Sequence, residues 1–132
     1  MSSESATAAK KLLDSVIAGD LETASSTLHA ECVIHEPENL WYGGDWKGPD
    51  GFAQILGLMT SKLDIRVDSY ELYEAGDVAV MNAQITFTAK PNGRSLNTSV
   101  VEIYKARDGQ LIDMDIFYKD TAAVLALAEE SS

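Results

Sequence analysis

The stretch SLNTSVVEIYKARDGQLIDMDIFY, residues 95–118, has the pattern of two β-strands. Its two runs, 95–106 and 110–118, are rich in β-branched and aromatic residues and are separated by a short Arg-Asp-Gly segment. Aspartate and glycine tolerate the tight backbone of a turn, and so short a connection can join only antiparallel strands. The stretch therefore predicts a β-hairpin.

The same pattern continues on the N-terminal side of this hairpin. Apolar and polar residues alternate from Leu63 onward, and a further β-rich run covers 78–89. Turn-forming residues separate these runs at 75–77 and 91–93. The second half of the chain is thus predicted to form an antiparallel meander.

The first half has the periodicity of helices. Apolar residues between Ser5 and Ala18 recur at helical spacing, Gly19 ends this helix, and Asp20 can cap a second one. The other predicted elements are a brief strand at 32–36, an aromatic loop at 38–47, a third helix opening at 48–51 and a terminal segment at 121–129. Helices followed by strands predict an α+β fold, with the helices on one face of a curved antiparallel sheet.

The composition limits the classes of function. A chain of 132 residues is expected to form a single domain, residues 1–132. Its net charge of −11 at pH 7 repels phosphates and anionic lipids, so we expect neither a nucleic acid nor a membrane partner. The single Cys32 cannot form an internal disulfide, and no stretch resembles an export signal, so we expect a cytoplasmic protein.

The sequence lacks the motifs of several common kinds of catalytic or metal site. His29 and His35 do not have the spacing of metal-binding motifs, and the chain has neither a glycine-rich phosphate loop nor a GxSxG nucleophile motif. We therefore expect no metal and no cofactor.

Two glutamates are candidates for chemistry. Glu36 ends an apolar strand directly before a proline and a loop with three aromatic residues. A carboxyl group held against such aromatic walls would have a raised pKa, but an exposed glutamate is the ordinary case, and Glu36 could instead be a solvated acid at a strand end. Glu102 interrupts an otherwise apolar strand and shares a face with Val100 and Tyr104. It could be a protonated or paired carboxyl in a cavity, or half of a cross-strand salt bridge on the solvent side.

The last predicted strand has two faces that compete for the interior. Strict alternation puts Ile112, Met114, Ile116 and Tyr118 on one face and Asp113, Asp115 and Phe117 on the other. We assign the first face to a cavity and the second to solvent or a subunit contact. The candidate ligand contacts are His35, Trp41, Tyr42, Trp46, Met114, Ile116 and Tyr118. The three aromatic residues of the loop are as well suited to anchoring it as to touching a ligand.

Short strings spread over almost the whole chain resemble those of one known family. They are Ala18-Gly-Asp-Leu21, His35-Glu-Pro37, Tyr42-Gly-Gly44, Lys47-Gly-Pro-Asp-Gly-Phe52, Arg107-Asp-Gly109 and Phe117-Tyr-Lys-Asp-Thr121. They resemble the SnoaL-like group of the nuclear transport factor 2-like superfamily. This resemblance implies a conical α+β barrel with an internal pocket. The superfamily includes polyketide cyclases, ketosteroid isomerases and noncatalytic binding domains, so the resemblance does not imply one reaction.

The ketosteroid isomerases of this superfamily pair a carboxylate base with a neutral carboxylic acid that stabilises an oxyanion. By resemblance the base falls at Glu36 and the neutral acid at Glu102, whereas Leu12 stands where the isomerases have an oxyanion-hole tyrosine. The cyclases have an acid/base aspartate on or just beyond the last strand, and the aspartates of this chain in that region are Asp113, Asp115 and Asp120.

The leading expectation is a small-molecule pocket protein that acts on an apolar, carbonyl-bearing cyclic molecule. In it, Glu36 moves a proton and Glu102 donates a hydrogen bond to the developing enolate oxygen. The alternative is a noncatalytic domain in which both glutamates only orient a small apolar or aromatic ligand, and Leu12 favours this alternative. A further alternative is a dimeric interaction domain, since the resemblance also implies a homodimer formed through the outer face of the sheet.

Overall fold

A computed structural model describes residues 3–129, which form four helices and six strands. In chain order these are α1 (Glu4–Ile17), α2 (Leu21–Ser26), β1 (Leu28–Glu36), β2 (Gly44–Lys47), α3 (Gly48–Thr60), β3 (Leu63–Ala75), β4 (Val78–Ala89), β5 (Ser95–Arg107), β6 (Gln110–Tyr118) and α4 (Thr121–Glu129). The predicted α+β class is confirmed. None of the helices within 3–129 is long and apolar enough to cross a membrane.

The six strands form one curved sheet in the order β2-β1-β6-β5-β4-β3. Strands β3 to β6 are the predicted antiparallel meander. The meander does not describe the whole sheet, because β1 pairs with β6 in parallel, with Ile34 opposite Met114. Strands β2 and β3 are the edges, so in the part of the chain that the structure describes the sheet is not closed into a barrel.

The region before α3 contains more β-strand than the sequence predicts. β1 begins at Leu28 rather than Cys32, and the aromatic loop includes a second strand, β2, in which Trp46 pairs with Ile34. A bulge between Leu28 and Val33 interrupts the alternation of β1, which concealed its first half in the sequence.

The helices cover the concave face of the sheet. α1 buries Leu12 and Leu13, and α3 buries Phe52 and Ile55. As predicted, Gly19 takes a left-handed backbone with φ of 76° between α1 and α2, and the Asp20 side chain caps α2 by accepting a hydrogen bond from an amide N–H. The concave face, and not the outer one, therefore holds the core.

Strict alternation along β6 is wrong at its start. Asp113 pairs with Lys105 while Leu111 pairs with Ala106, so Ile112 is the extra residue of a bulge. Leu111 is fully buried and occupies the inward position that alternation assigned to Ile112. From Met114 onward the predicted alternation holds.

Candidate functional site

The helices and the concave face of the sheet line a partly open cavity of about 130 Å³. Within the described residues, the polar side chains of its wall are those of Glu36, Glu102, Tyr104 and Tyr118, and the rest of the wall is apolar. An apolar protein cavity of about 150 Å³ holds one benzene ring. The cavity therefore has room for about one ring.

The sheet register brings the two glutamates into this wall. His35 pairs with Asp115 across β1 and β6, and Glu102 pairs with Ile116 across β5 and β6. Glu36 and Glu102 thus flank Ile116, with their Cα atoms about two strand spacings, roughly 10 Å, apart. β1 and β5 both pair with β6. Two residues separated by 66 positions in the chain therefore lie on the same face of the sheet and line the same cavity.

Glu36 is a buried acid without a hydrogen bond to one of its oxygens. Only 8% of the residue is exposed, and within 3–129 its Oε1 atom has no hydrogen-bond partner. Burial, and secondarily the nearby Glu102 carboxylate, raise the pKa of Glu36 from 4.5 to about 9. Glu36 is therefore protonated at neutral pH and is not the solvated strand-end acid that the sequence also allowed.

Glu102 has a different environment. It also lines the cavity, and the Tyr104 hydroxyl donates a hydrogen bond of 2.6 Å to its Oε1 atom. Burial raises the pKa of Glu102, whereas the hydrogen bond from Tyr104 opposes this shift. A salt bridge on the solvent side does not form, because the side chain points into the cavity.

The two acids titrate as a coupled pair. The Tyr104 hydroxyl stabilises the ionised form of Glu102, whereas Glu36 Oε1 has no donor. This difference favours ionisation of Glu102 before Glu36, and a charge on Glu102 raises the pKa of Glu36 further. The two acids of the wall therefore hold their protons with unequal strength, Glu36 more tightly than Glu102.

A pair of tyrosine hydroxyls lies near Glu36. Tyr118 lines the cavity and stacks on Phe87, with ring centroids 6.0 Å apart. Its hydroxyl oxygen is 2.5 Å from that of Tyr42, which is fully buried behind it. Tyr42 therefore supports the wall without forming part of it.

Three of the seven predicted ligand contacts lie in the wall, namely Met114, Ile116 and Tyr118. The indoles of Trp41 and Trp46 lie outside it and donate hydrogen bonds to the backbone oxygens of Leu58, at 2.7 Å, and Tyr42, at 3.0 Å. Both tryptophans thus anchor the loop to its surroundings, which was the alternative interpretation of these residues.

His35 lies on the outer face of the sheet, away from the cavity. Its ring nitrogens are 2.8 Å from an Asp45 oxygen and 2.9 Å from an Asp113 oxygen. Partial burial lowers the pKa of His35, but the two carboxylates outweigh this effect and raise it. Because β1 alternates, a residue directly before an inward-facing Glu36 cannot face the same cavity.

The aspartates at the cyclase-like positions also lie outside the wall. Asp113 binds His35, Asp115 follows the same outer face, and Asp120 accepts a hydrogen bond of 2.9 Å from Ala123 N–H at the start of α4. Within residues 3–129 no group of three or more His, Cys, Asp or Glu side chains is placed to hold a metal ion.

Sequence reasoning missed two contacts of the site. The Tyr104–Glu102 hydrogen bond joins residues two apart on one strand, and their shared face was the signal that could have predicted it. The Tyr42–Tyr118 contact spans 76 positions, and only the three-dimensional packing shows it.

The family can now be identified by comparison. The sequence profile of the SnoaL-like domain matches residues 9–114. The chain belongs to the SnoaL-like family. The resemblance stated from the sequence is thereby confirmed. A search of curated proteins finds no match.

Several solved structures share the fold of this SnoaL-like chain, and some of them are nuclear transport factor 2-like proteins. A protein of unknown function from Burkholderia pseudomallei K96243 has a TM-score of 0.87 at 20% identity, covering 98% of this chain and 100% of its own. TerC, co-crystallized with polyporic acid, has a TM-score of 0.86 at 23% identity, covering 97% and 100%. A candidate polyketide cyclase from Xanthomonas campestris pv. campestris has a TM-score of 0.81 at 14% identity, covering 96% and 97%.

Replacing Glu36 by glutamine is expected to stabilise the protein increasingly as pH rises. The unfolded chain releases the Glu36 proton near pH 4.5, whereas the folded chain keeps it up to about pH 9. The folded state therefore binds more protons in this window, and the stability of the unmodified protein falls as pH rises. Glu36→Gln removes this loss and should increase the free energy of unfolding by roughly 2–4 kcal/mol at about pH 8.

The measurement is urea denaturation at about pH 5 and about pH 8. The control is Glu38→Gln, which changes an exposed glutamate two residues away and should have little effect at either pH. An equal effect of Glu36→Gln at both pH values would mean that the buried carboxyl is not held neutral.

Proposed function

We propose that the chain binds an apolar, carbonyl-bearing cyclic molecule in the cavity and transfers a proton within it, as an isomerase or cyclase does. The observation that carries this proposal is the pair of inward-facing glutamates with unequal hydrogen bonding, Glu36 without a donor and Glu102 with one. Pairs of titratable groups whose environments push their pKa values apart are typical of acid-base sites. Fold neighbours named as candidate polyketide cyclases also support a role in small-molecule chemistry.

The hydrogen bonds favour the reverse of the roles that the ketosteroid isomerases imply. Glu102 is the base and Glu36 is the neutral donor. The Glu102 carboxylate removes a proton from a carbon next to the ligand carbonyl, and the C–H electron pair shifts to form an enolate. The enolate oxygen accepts a hydrogen bond from protonated Glu36, and Glu102 returns the same proton to another carbon of the ligand. The product is an isomer of the substrate, and no cofactor takes part.

The cavity also limits the class of substrate. Two acids in an apolar wall disfavour an anionic group inside it, and about 130 Å³ accommodates a single ring. The substrate class is therefore a neutral ring ketone, or a larger molecule of which one ring enters the cavity.

The second candidate function is ligand binding without catalysis. Leu12 supports it, because this residue lines the cavity with only 2% exposure where the isomerases have a hydrogen-bonding tyrosine. A site that lacks this donor would stabilise an enolate less well. Catalysis of a simple ring ketone separates the two candidates.

We expect the protein to convert cyclohex-3-enone to cyclohex-2-enone, which is followed by the ultraviolet absorbance of the conjugated product. Glu102→Gln should reduce the rate by at least roughly 100-fold because it removes the base. Glu36→Gln should reduce it less, since an amide still donates a hydrogen bond. The rate of the unmodified protein should fall above about pH 9, where Glu36 loses its proton, and on the acid side, where Glu102 gains one.

The control is Glu38→Gln, which should leave the rate unchanged. Binding of cyclohex-3-enone without conversion would favour the noncatalytic function. Conversion that survives Glu102→Gln at full rate would mean that the proposed base is wrong.

We further propose that the chain forms a homodimer through the outer face of the sheet. Phe117 on this face is 49% exposed, and Tyr73 is 51% exposed. Register places Val101 opposite Phe117, and Val80 between Tyr73 and Ile103. These five residues form a partly exposed apolar stripe across the meander, and the family resemblance implies a second copy as its partner.

Phe117→Asp is expected to convert the dimer to a monomer, because it replaces the large exposed ring at the β6 end of the apolar stripe with a charge. Sedimentation at micromolar concentration should give twice the chain mass of 14.3 kDa for the unmodified protein and the single mass for the variant. Leu58→Asp is the control, since Leu58 is 37% exposed on α3, away from the sheet face. A dimer that persists in Phe117→Asp would place the interface elsewhere.

A further inference from the structure

The hydroxyl groups of Tyr42 and Tyr118 carry two protons, and the hydrogen bond between them uses only one. A tyrosine hydroxyl has one proton to donate and can also accept. Across residues 3–129, the two hydroxyls have only each other as hydrogen-bond partners, at 2.5 Å. One proton bridges the two oxygens, and the other has no acceptor among the described residues.

The surroundings decide which tyrosine keeps the free proton. Tyr42 has no exposed surface, so a free proton on it would be buried without an acceptor, which is unfavourable. Tyr118 lines the cavity, where a ligand atom can accept. The favoured arrangement has Tyr42 donating to Tyr118, with the Tyr118 proton directed into the cavity.

The other tyrosine of the wall cannot supply this proton. The Tyr104 hydroxyl already donates to Glu102, at 2.6 Å. Burial, and then the nearby Glu36, raise the pKa of Tyr118 above its usual value, so its hydroxyl remains a donor at neutral pH. With Leu12 apolar, Tyr118 is the tyrosine of the described wall that has a proton available to a ligand.

We propose that Tyr118 donates a hydrogen bond to the carbonyl oxygen of the ligand, and that Tyr42 positions and polarises it by donating to the Tyr118 oxygen. This inference rests on the proposed function, since it requires a ligand in the cavity. Tyr118 and protonated Glu36 then form a pair of donors for one ligand oxygen, and Tyr118 fulfils the role for which Leu12 is unsuited. A hydroxyl group that accepts a hydrogen bond becomes a stronger donor in the next hydrogen bond of the chain.

The experiment compares two probes of nearly equal shape, cyclohexanone and methylenecyclohexane. The first has a carbonyl oxygen and the second has a CH₂ group in its place. Binding of each is measured by calorimetry to the unmodified protein, to Tyr118→Phe and to Tyr42→Phe, and the carbonyl stretch of bound cyclohexanone is recorded by infrared spectroscopy. Tyr70→Phe is the control, because the Tyr70 hydroxyl donates to Asp14, outside the cavity.

Tyr118→Phe should weaken cyclohexanone binding by roughly 3- to 10-fold and leave methylenecyclohexane binding unchanged, as expected for the loss of one neutral hydrogen bond. The carbonyl stretch should lie lowest in the unmodified protein, higher in Tyr42→Phe and highest in Tyr118→Phe. Tyr70→Phe should match the unmodified protein in every measurement.

Three results would overturn the inference. If cyclohexanone binds Tyr118→Phe and the unmodified protein with equal affinity and equal carbonyl stretch, the inference is wrong while the ligand site stands. A stretch lower in Tyr42→Phe than in the unmodified protein would mean that Tyr118 donates to Tyr42, and this result decides the question even if Tyr118→Phe does not fold. If neither probe binds the unmodified protein, the proposed function and the inference are both wrong.

Discussion

The parallel pairing of β1 with β6 is the constraint on which the site depends. It joins a strand from the first third of the chain to the last strand of the meander, with Ile34 opposite Met114. A slip of one residue in this register would turn Glu36 to the outer face and His35 to the cavity. The buried Ile34 on one face and the His35 contacts with Asp45 and Asp113 on the other both oppose such a slip.

This pairing places the acid Glu36 in the core, where it is stable only in its neutral form. Burying an ionised carboxylate without a partner is far less favourable than burying a neutral acid, so Glu36 retains its proton. Glu102, on the other side of β6, has the Tyr104 hydroxyl to stabilise its charge, and in the function that we propose the two acids divide the roles of donor and acceptor. An unpaired buried acid destabilises the fold above its ordinary pKa, and such local cost is typical of functional sites.

The parts of the site that follow from strand alternation could be predicted from the sequence. The charge at Glu102 stood out in an apolar strand, and alternation correctly placed Met114 and Tyr118 on one face of β6. Ile112 was misplaced, because a bulge changes the alternation without leaving a mark in the residue pattern. The hydroxyl pair could not be predicted either, since it depends on how the loop before β2 folds back on the end of β6.

The division of protons between the two acids can be measured most directly by carbon-13 NMR of the glutamate side-chain carboxyls as a function of pH. Assignment by comparison with Glu36→Gln and Glu102→Gln identifies the two signals. We predict that the Glu36 carboxyl titrates near pH 9, and that Glu102 titrates first. Titration of Glu36 at its ordinary value near 4.5 would contradict the claim that a neutral acid faces the cavity.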